Sequence, residues 1–349
     1  MVLNKIWPQA PLYTAVYNPK TAPWAKQFRV KPSFLQKIPG AQSHHEWLAW
    51  LTPLAFESFD FSQFNVVISL TSAEAKGIIT PPSVLHICYC LTPTRYLWSG
   101  KNLYENQGLR SWGLKLWGPY LRQWDQVAAQ RPDMIVAISQ TVQARIKKYY
   151  RRDSQVIYPP VDTKIFKNPQ SIKVKKLSPA PFYLLVSRLV IYKQVAQAID
   201  AFNRLPQKRL IIVGEGEEKA RLQAMAGHNI NFVGQLTDGE LVSYYQSCQA
   251  VIFPGEEDFG LVAVEAAALG KPVIAYGKGG VAETVIHGQT GWLYAEQTAS
   301  ALKQAIVNFE KRRFKSSQCR QQALKFSEQR FIKQFKNFVE AAWKRYRRG

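Results

Sequence analysis

The chain has 349 residues, enough for two domains of ordinary size, and its 46% hydrophobic and 13% aromatic content supports a large buried core. No uninterrupted apolar run of about 18 residues occurs, which excludes a membrane-spanning helix, and Met1 to Pro8 lacks the long apolar stretch of a signal peptide. The net charge of +22 asks for an acidic partner: nucleic acid, an anionic membrane surface or a phosphorylated substrate. The basic residues gather at Lys147 to Arg152, Lys173 to Lys176, Lys311 to Lys315 and Lys344 to Arg348. No zinc-finger or aromatic RNA-binding signature accompanies them, so peripheral attachment to anionic lipid is the better functional reading. A plain solvated basic surface stays an equal alternative. Four scattered cysteines (Cys88, Cys90, Cys248, Cys319) have no zinc spacing and point to a reducing compartment.

Val2 to Trp7 reads as the tail of a helix and Pro11 to Tyr17 as a short strand. Residues 18 to 60 are punctuated by Pro19, Pro23, Pro32, Pro39 and Pro53 and read as mixed loop and helix. Asn65 to Leu70 reads as a buried strand. So does Val84 to Cys90, whose alternation puts Cys88 and Cys90 on one face and includes a lone, structural His86. Gly100 to Gly118 is basic and aromatic and reads as a mobile loop leading into a helix over Tyr120 to Gln130. Its aromatics, with Trp98, Tyr104, Trp112 and Trp117, suit either an acceptor-side wall or ordinary packing. A strand over Met134 to Ser139, a helix over Gln140 to Tyr150 and a Lys/Pro/Ser-rich linker over Asn168 to Ala180 follow.

The second half opens with a fully buried strand, Phe182 to Val186. Arg188 and Lys193 stand after it and before a helix, where a planar cationic fork and a point charge suit a diphosphate. Arg209 to Val213 is a strand. The Gly214-Glu215-Gly216 turn after it starts like a dinucleotide fingerprint, but Lys219 occupies the place of the third glycine. Glu217 and Glu218 would also repel a pyrophosphate, so it reads as a tight turn. Ile230 to Leu236 is a strand with a glycine near its end. Ala250 to Phe253 is another, ended by Pro254 and Gly255. The run Leu261 to Leu269 is apolar almost all round and reads as a buried helix ended by Gly270. The N–H groups of Phe259, Gly260 and Leu261 at its start can hold an anion. Glu265 lies inside it, and a buried charge needs a partner. Tyr276 to Gly280 is a glycine loop onto another helix, and Leu302 to Ala342 is helical, with Phe331, Phe335, Phe338 and Trp343 on a core-facing stripe.

Glu257 and Glu265, with seven residues between them that include Phe259-Gly260-Leu261, and with Gly270-Lys271-Pro272-Val273 after, resemble the paired-glutamate motif of retaining GT-B glycosyltransferases of family 4, the glycosyl transferases group 1. The resemblance runs from Trp7 onward and is most specific from Arg188 to Leu293. It implies an α/β fold of two doubly wound Rossmann-like domains with a cleft between them. The implied limits are 1–167 for the acceptor-side domain, 168–180 for a linker, 181–328 for the nucleotide-sugar domain and 329–349 for a helix that packs back on the first domain. Trp7 to Thr14 resembles text that follows the first helix in the family, so the first domain lacks its opening strand and glycine-rich turn. A misplaced start, a fragment and gene decay all fit that.

The resemblance also assigns roles. Glu257 would contact the transferred sugar and Glu265 the nucleotide ribose, with Arg188 and Lys193 on the donor diphosphate and Gly234 and Gln235 beside the base. The implied activity is a retaining hexosyltransferase that needs no metal or other cofactor, because two cations can stabilise the leaving diphosphate. The segments around Cys88 and Tyr158-Pro159-Pro160 look most like mannosyltransferases of polysaccharide or lipid-linked sugar synthesis, so GDP-mannose is the preferred donor. The setting implied is the cytoplasm, at the inner face of the membrane. One departure stands out: Leu91 occupies the place of a histidine near the donor sugar, and leucine makes no hydrogen bond. A nucleotide-sugar-binding homologue without transferase activity is therefore the rival reading, and a GT-B epimerase a further one.

Overall fold

The computed structural model describes residues 2–44, 48–99, 108–161 and 180–348, with 108–116 as backbone only. The linker expected over 168–180 lies outside these residues except for its last position, as do Tyr104 and the side chain of Trp112. The chain divides into two units, Met1–Tyr158 with Phe331–Gly349, and Pro159–Arg330.

The first unit begins with α1 (Val2–Ile6) and strands β1 (Leu12–Thr14) and β2 (Val30–Pro32), which form a two-stranded parallel sheet. Short helices α2 (Ala41–His44) and α3 (Thr52–Glu57) follow. A separate parallel sheet has the order β3 (Val66–Thr71), β4 (Leu85–Cys90), β5 (Met134–Ala137), β6 (Gln155–Val156). Helices α4 (Gly108–Ala128) and α5 (Gln140–Tyr150) connect its later strands. β4 has a neighbour on each side and is buried at every position, His86, Cys88 and Cys90 included.

Two expectations need correction here. The strand expected to be buried over Asn65 to Leu70 is an edge strand, paired on one side with β4, and Leu70 is 50% exposed. Its apolar letters carry no mark that separates an edge from a centre, since pairing partners are chosen by tertiary topology. The loop expected up to Gly118 is helical from Gly108 onward, with Pro119 inside α4.

The second unit is one six-stranded, all-parallel sheet, order β12 (Gly291–Tyr294), β11 (Val273–Tyr276), β10 (Val251–Phe253), β7 (Phe182–Val186), β8 (Arg209–Val213), β9 (Ile230–Gly234). Alternate residues of a strand face opposite ways, and β7 shows it. Tyr183 and Leu185 enter one core, and Phe182 and Leu184 enter the other. The first core is closed by α6 (Val195–Asn203) and α11 (Ala299–Glu310), with α7 (Lys219–Met225) at its margin through Leu222. The second is closed by α8 (Asp238–Ser247) and α9 (Leu261–Ala268). Helices on both faces explain why these strands read as continuous apolar runs. A capping box starts α8: the Thr237 hydroxyl accepts from the Glu240 N–H, and the Glu240 carboxylate accepts from the Thr237 N–H. A short α10 (Val281–Thr284) follows β11.

The helical tract expected over Leu302 to Ala342 is three helices: α11, α12 (Ser316–Leu324) and α13 (Glu328–Tyr346). The breaks follow from packing. Phe314 folds back to stack on Phe309 at 4.6 Å, and Phe326 meets the edge of Phe259 at 5.5 Å. α13 turns Phe331, Phe335, Val339 and Ala342 inward, and Phe335 packs on Tyr89 and Trp7 of the first unit, to which this part of the helix belongs.

Candidate functional site

All strands of the second unit run the same way, so every loop that leaves a strand's carboxyl end lies along one edge of the sheet. That edge carries Arg188 after β7, the Gly214 turn after β8, Gly234 and Gln235 at the end of β9, Glu257 after β10 and the glycine loop after β11. β8 and β9 lie on one side of β7, whereas β10 to β12 lie on the other. The strand order therefore reverses between β7 and β10, the point at which open parallel sheets bind ligands. Lys193 and Glu257 flank it.

They meet as an ion pair between Lys193 Nζ and Glu257 Oε1, with side-chain exposures of 14% and 24%. The Lys193 ammonium also lies 5.2 Å from the centre of the Tyr192 ring, and Arg188 Nη2 donates to the Tyr192 hydroxyl at 2.6 Å. Tyr192 thus connects the two cations. Its role was not legible beforehand, because a tyrosine between two cations in sequence has many places to go.

The loop that carries Glu257 is held by the glycine loop. The Gly280 N–H donates to the Glu257 carbonyl at 2.7 Å, and a Cβ on Gly280 would stand 2.3 Å from Phe259 Cα. Only a residue without a side chain permits so close an approach. Gly260, at φ +86°, is the left-handed residue that opens α9. Phe259 is buried, while Leu261 is 47% exposed, so the buried helix expected from the sequence presents its first turn to solvent. The first N–H groups of a helix have no acceptor within it, and those of α9 open beside Glu257.

Glu265 stands one turn further along α9. Its partner is Tyr245 of α8, whose buried hydroxyl donates to Glu265 Oε2 at 3.1 Å. Burial pushes the Glu265 carboxyl above its ordinary value; the Tyr245 hydrogen bond opposes this, and the nearby Asp238 charge adds to it. The need for a partner was legible in the sequence, but the identity of the partner came from the packing of α8 beside α9. Gly234 accepts from the Gly214 N–H at 2.8 Å, and Gln235 is exposed, both two strands away from β7. The structure thus brings Lys193, Glu257, Phe259, Gly260 and Leu261 together, links Arg188 to them through Tyr192, and sets Gly234 and Gln235 further along the same edge.

In the first unit, His86 is a core residue. Its Nε2 shares a hydrogen bond with Ser69 Oγ at 2.8 Å, and burial with the nearby Arg131 and Arg152 charges lowers its pKa to about 3. Leu91 stands just past β4, and its N–H donates to the Thr71 carbonyl at 2.8 Å. The loop beyond it is tied to a buried hub. Asp125 accepts from Lys76 Nζ at 2.5 Å, Thr94 Oγ1 at 2.6 Å, Trp98 Nε1 at 2.8 Å and the Tyr150 hydroxyl at 2.8 Å. Trp98, a candidate for an acceptor-side wall, also stacks on Tyr149 at 5.3 Å, the alternative of ordinary packing. Trp117 stacks on Trp50. Among the described residues no cluster of three or more His, Cys, Asp or Glu is arranged to hold a metal, and no helix is long and apolar enough to cross a membrane.

Comparison with known proteins agrees with this architecture. Residues 167–326 match the family model of glycosyl transferases group 1. The chain is 39% identical over 133 residues to a glycogen synthase of Mycobacterium tuberculosis, an overlap covering 35% of this chain and 32% of that protein. With other curated relatives the overlap is about half of each chain, so the match to these proteins is partial. Among solved structures, a sucrose-phosphate synthase from Thermosynechococcus elongatus superposes with a TM-score of 0.75 at 19% identity, covering 98% of this chain and 91% of the other. An Anabaena protein, Alr3699/HepE, in complex with UDP and glucose superposes with a TM-score of 0.68 at 19% identity, covering 97% and 94%. The fold is GT-B, two Rossmann-like α/β units with parallel sheets, and the part of the chain that matches the glycosyl transferases group 1 family model lies mostly in the second unit, which bears the edge described above.

Proposed function

We propose that this chain is a retaining glycosyltransferase that moves a hexose from a nucleotide-diphosphate sugar to a polysaccharide or lipid-linked acceptor. The observation that carries the reading is the meeting of Lys193, Glu257 and the start of α9 where the strand order reverses, with Glu265 one turn away. As the bond between the sugar and the diphosphate breaks, negative charge grows on the departing phosphate. Lys193, Arg188 and the N–H groups of Gly260 and Leu261 are the donors that would stabilise it. Glu257 accepts hydroxyls of the transferred sugar and orients it, while Glu265 accepts the ribose hydroxyls. Gly234 and Gln235 lie beside the base. The ion pair with Glu257 holds the Lys193 ammonium at this edge of the sheet, where a diphosphate would meet it. These cations do the work of a metal, and activity is expected to survive a chelator.

GDP-mannose is the preferred donor, and UDP, the nucleotide bound by the Anabaena relative, is its first competitor. The working place is the cytoplasm, with the basic surface against the anionic inner face of the membrane. Leu91, in the place of a histidine near the donor sugar, supports a second reading in which the chain binds a nucleotide sugar without transferring it. Thermal unfolding with UDP, GDP, ADP and GDP-mannose tests the common part. A ligand at a hundredfold excess over its dissociation constant stabilises the native state by about 2.7 kcal/mol. A shift with one nucleotide names the base. A shift without sugar transfer in a radiolabelled assay favours the binder, and no shift in a folded sample refutes both readings.

A further inference from the structure

We infer that Tyr245 is a positioning residue of the donor site, whose hydroxyl holds one oxygen of Glu265 and leaves the other as acceptor for the ribose hydroxyls; this rests on the donor-binding reading above. The Tyr245 hydroxyl donates to Glu265 Oε2, and among the described residues no other hydrogen bond reaches this carboxylate. The tyrosine is 1% exposed and belongs to the core formed by β7, β8, β10, α8 and α9.

Its place is set from both ends of α8. The capping box on Thr237 and Glu240 determines where the helix starts. Beyond its last turn, Lys271 Nζ donates to the Cys248 carbonyl at 2.9 Å, tying this end to the segment that follows α9. The cap thus fixes the start of α8, and the Lys271 bond ties its other end to the segment after α9, with the Tyr245–Glu265 bond joining the two helices between them. Phenylalanine would fill the same space without a hydroxyl to satisfy. A buried hydroxyl costs free energy unless it is bonded, so its presence here points to the carboxylate it serves. A carboxylate on a helix surface can rotate among several rotamers, and one fixed oxygen leaves a single direction for the other. A ribose presents two adjacent hydroxyl donors, and an acceptor held in one direction can bind them without losing further side-chain freedom on binding.

A role confined to folding would affect every ligand alike, whereas a positioning role affects the ribose hydroxyls alone. Isothermal titration of UDP, GDP and ADP first identifies the nucleotide that binds the unaltered chain. The 2′,3′-dideoxy form of that nucleotide then measures what the two hydroxyls contribute. In Tyr245→Phe the ordinary nucleotide is expected to bind about tenfold more weakly while the dideoxy form binds as before. Glu265→Gln is expected to erase the same preference, and the double variant to lose no more than either single change, because both remove one coupled interaction. Thermal unfolding confirms that each variant is folded, and Tyr245→Phe removes one oxygen while keeping the ring. Equal weakening of both nucleotide forms, no weakening, or additive losses in the double variant would overturn the role of Tyr245 and leave the donor site standing. Binding of none of the three nucleotides to the folded, unaltered chain would overturn the donor site and this inference together.

Discussion

At Glu265 the proposed ribose contact and the stability of the fold pull against each other. Its carboxyl is buried beside a tyrosine and near Asp238, and its pKa is raised above the ordinary 4.5. A carboxyl whose folded pKa lies above its unfolded value favours the folded state below the unfolded pKa, and that contribution is lost as pH rises through the folded value. Ionising this group in the fold thus carries a cost, with a neutral hydroxyl as its hydrogen-bond donor and Asp238 nearby. Glu265→Gln removes the charge and keeps an acceptor for Tyr245. The variant is expected to melt higher than the parent at pH 7, by about 2–4 °C for each kcal/mol relieved, and the difference is expected to vanish as pH falls below 4.5. Calorimetry between pH 4 and pH 7 checks this, and a lower melting point at pH 7 would show that Glu265 is compensated in the fold by a cation. The same residue was legible in the sequence as a carboxylate in an apolar helix. Tyr245 and Tyr192 were not, because tyrosines in amphipathic stretches are common and only packing says what their hydroxyls meet.

At the level of elements, the connections along the carboxyl edge are short, and most of their reading came from local chemistry. Gly260 opens α9 at a positive φ, Thr237 and Glu240 cap α8, and the glycine loop before α10 lies against the Glu257 loop. These signals work within a few residues; of them the glycine loop was read from the sequence and the Thr237–Glu240 cap was missed. The cap on α8 also holds the helix that carries Tyr245. Thr237→Ala is expected to cost about 1 kcal/mol and to lower the melting point of the chain by about 2–4 °C, read by circular dichroism. A change within error would mean that burial of Val242 and Tyr245 sets the helix start without help from the cap. Where the reading went astray, the missing information was non-local. β3 carries the apolar residues of a buried strand but lies at a sheet edge, and the helical tract after Leu302 is broken where Phe314 and Phe326 reach partners far from it in sequence or across a turn.

On the scale of the whole molecule, charge is unevenly divided. The first unit holds 24 of the 46 Lys and Arg residues but only 9 of the 24 Asp and Glu, a net +15 against +7 for the second. Each cation near an anionic bilayer contributes about 1 kcal/mol, screened over about 10 Å at 0.1 M salt. The chain is therefore expected to sediment with vesicles that contain about a third phosphatidylglycerol, to leave them as salt is raised to 0.5 M, and to ignore neutral phosphatidylcholine vesicles. Binding to neutral vesicles, or binding indifferent to salt, would rule out a charge-driven attachment.

By itself the sequence determined the alternating α/β pattern, the apolar strand runs of the second half, and the charged positions proposed for a diphosphate sugar: Arg188, Lys193, Glu257 and Glu265. It could do so because apolar periodicity, turn chemistry and charge are properties of neighbouring residues. Tertiary structure alone decided which strands are central and which lie at an edge, and it seated Lys193 against Glu257 across 64 residues. It also chose Tyr245 as the donor to Glu265. The physical reason is common to all three. A hydrogen bond or ion pair between distant segments depends on the order in which strands are laid into the sheet, and that order is set by the packing of the whole unit and not by any one stretch of it.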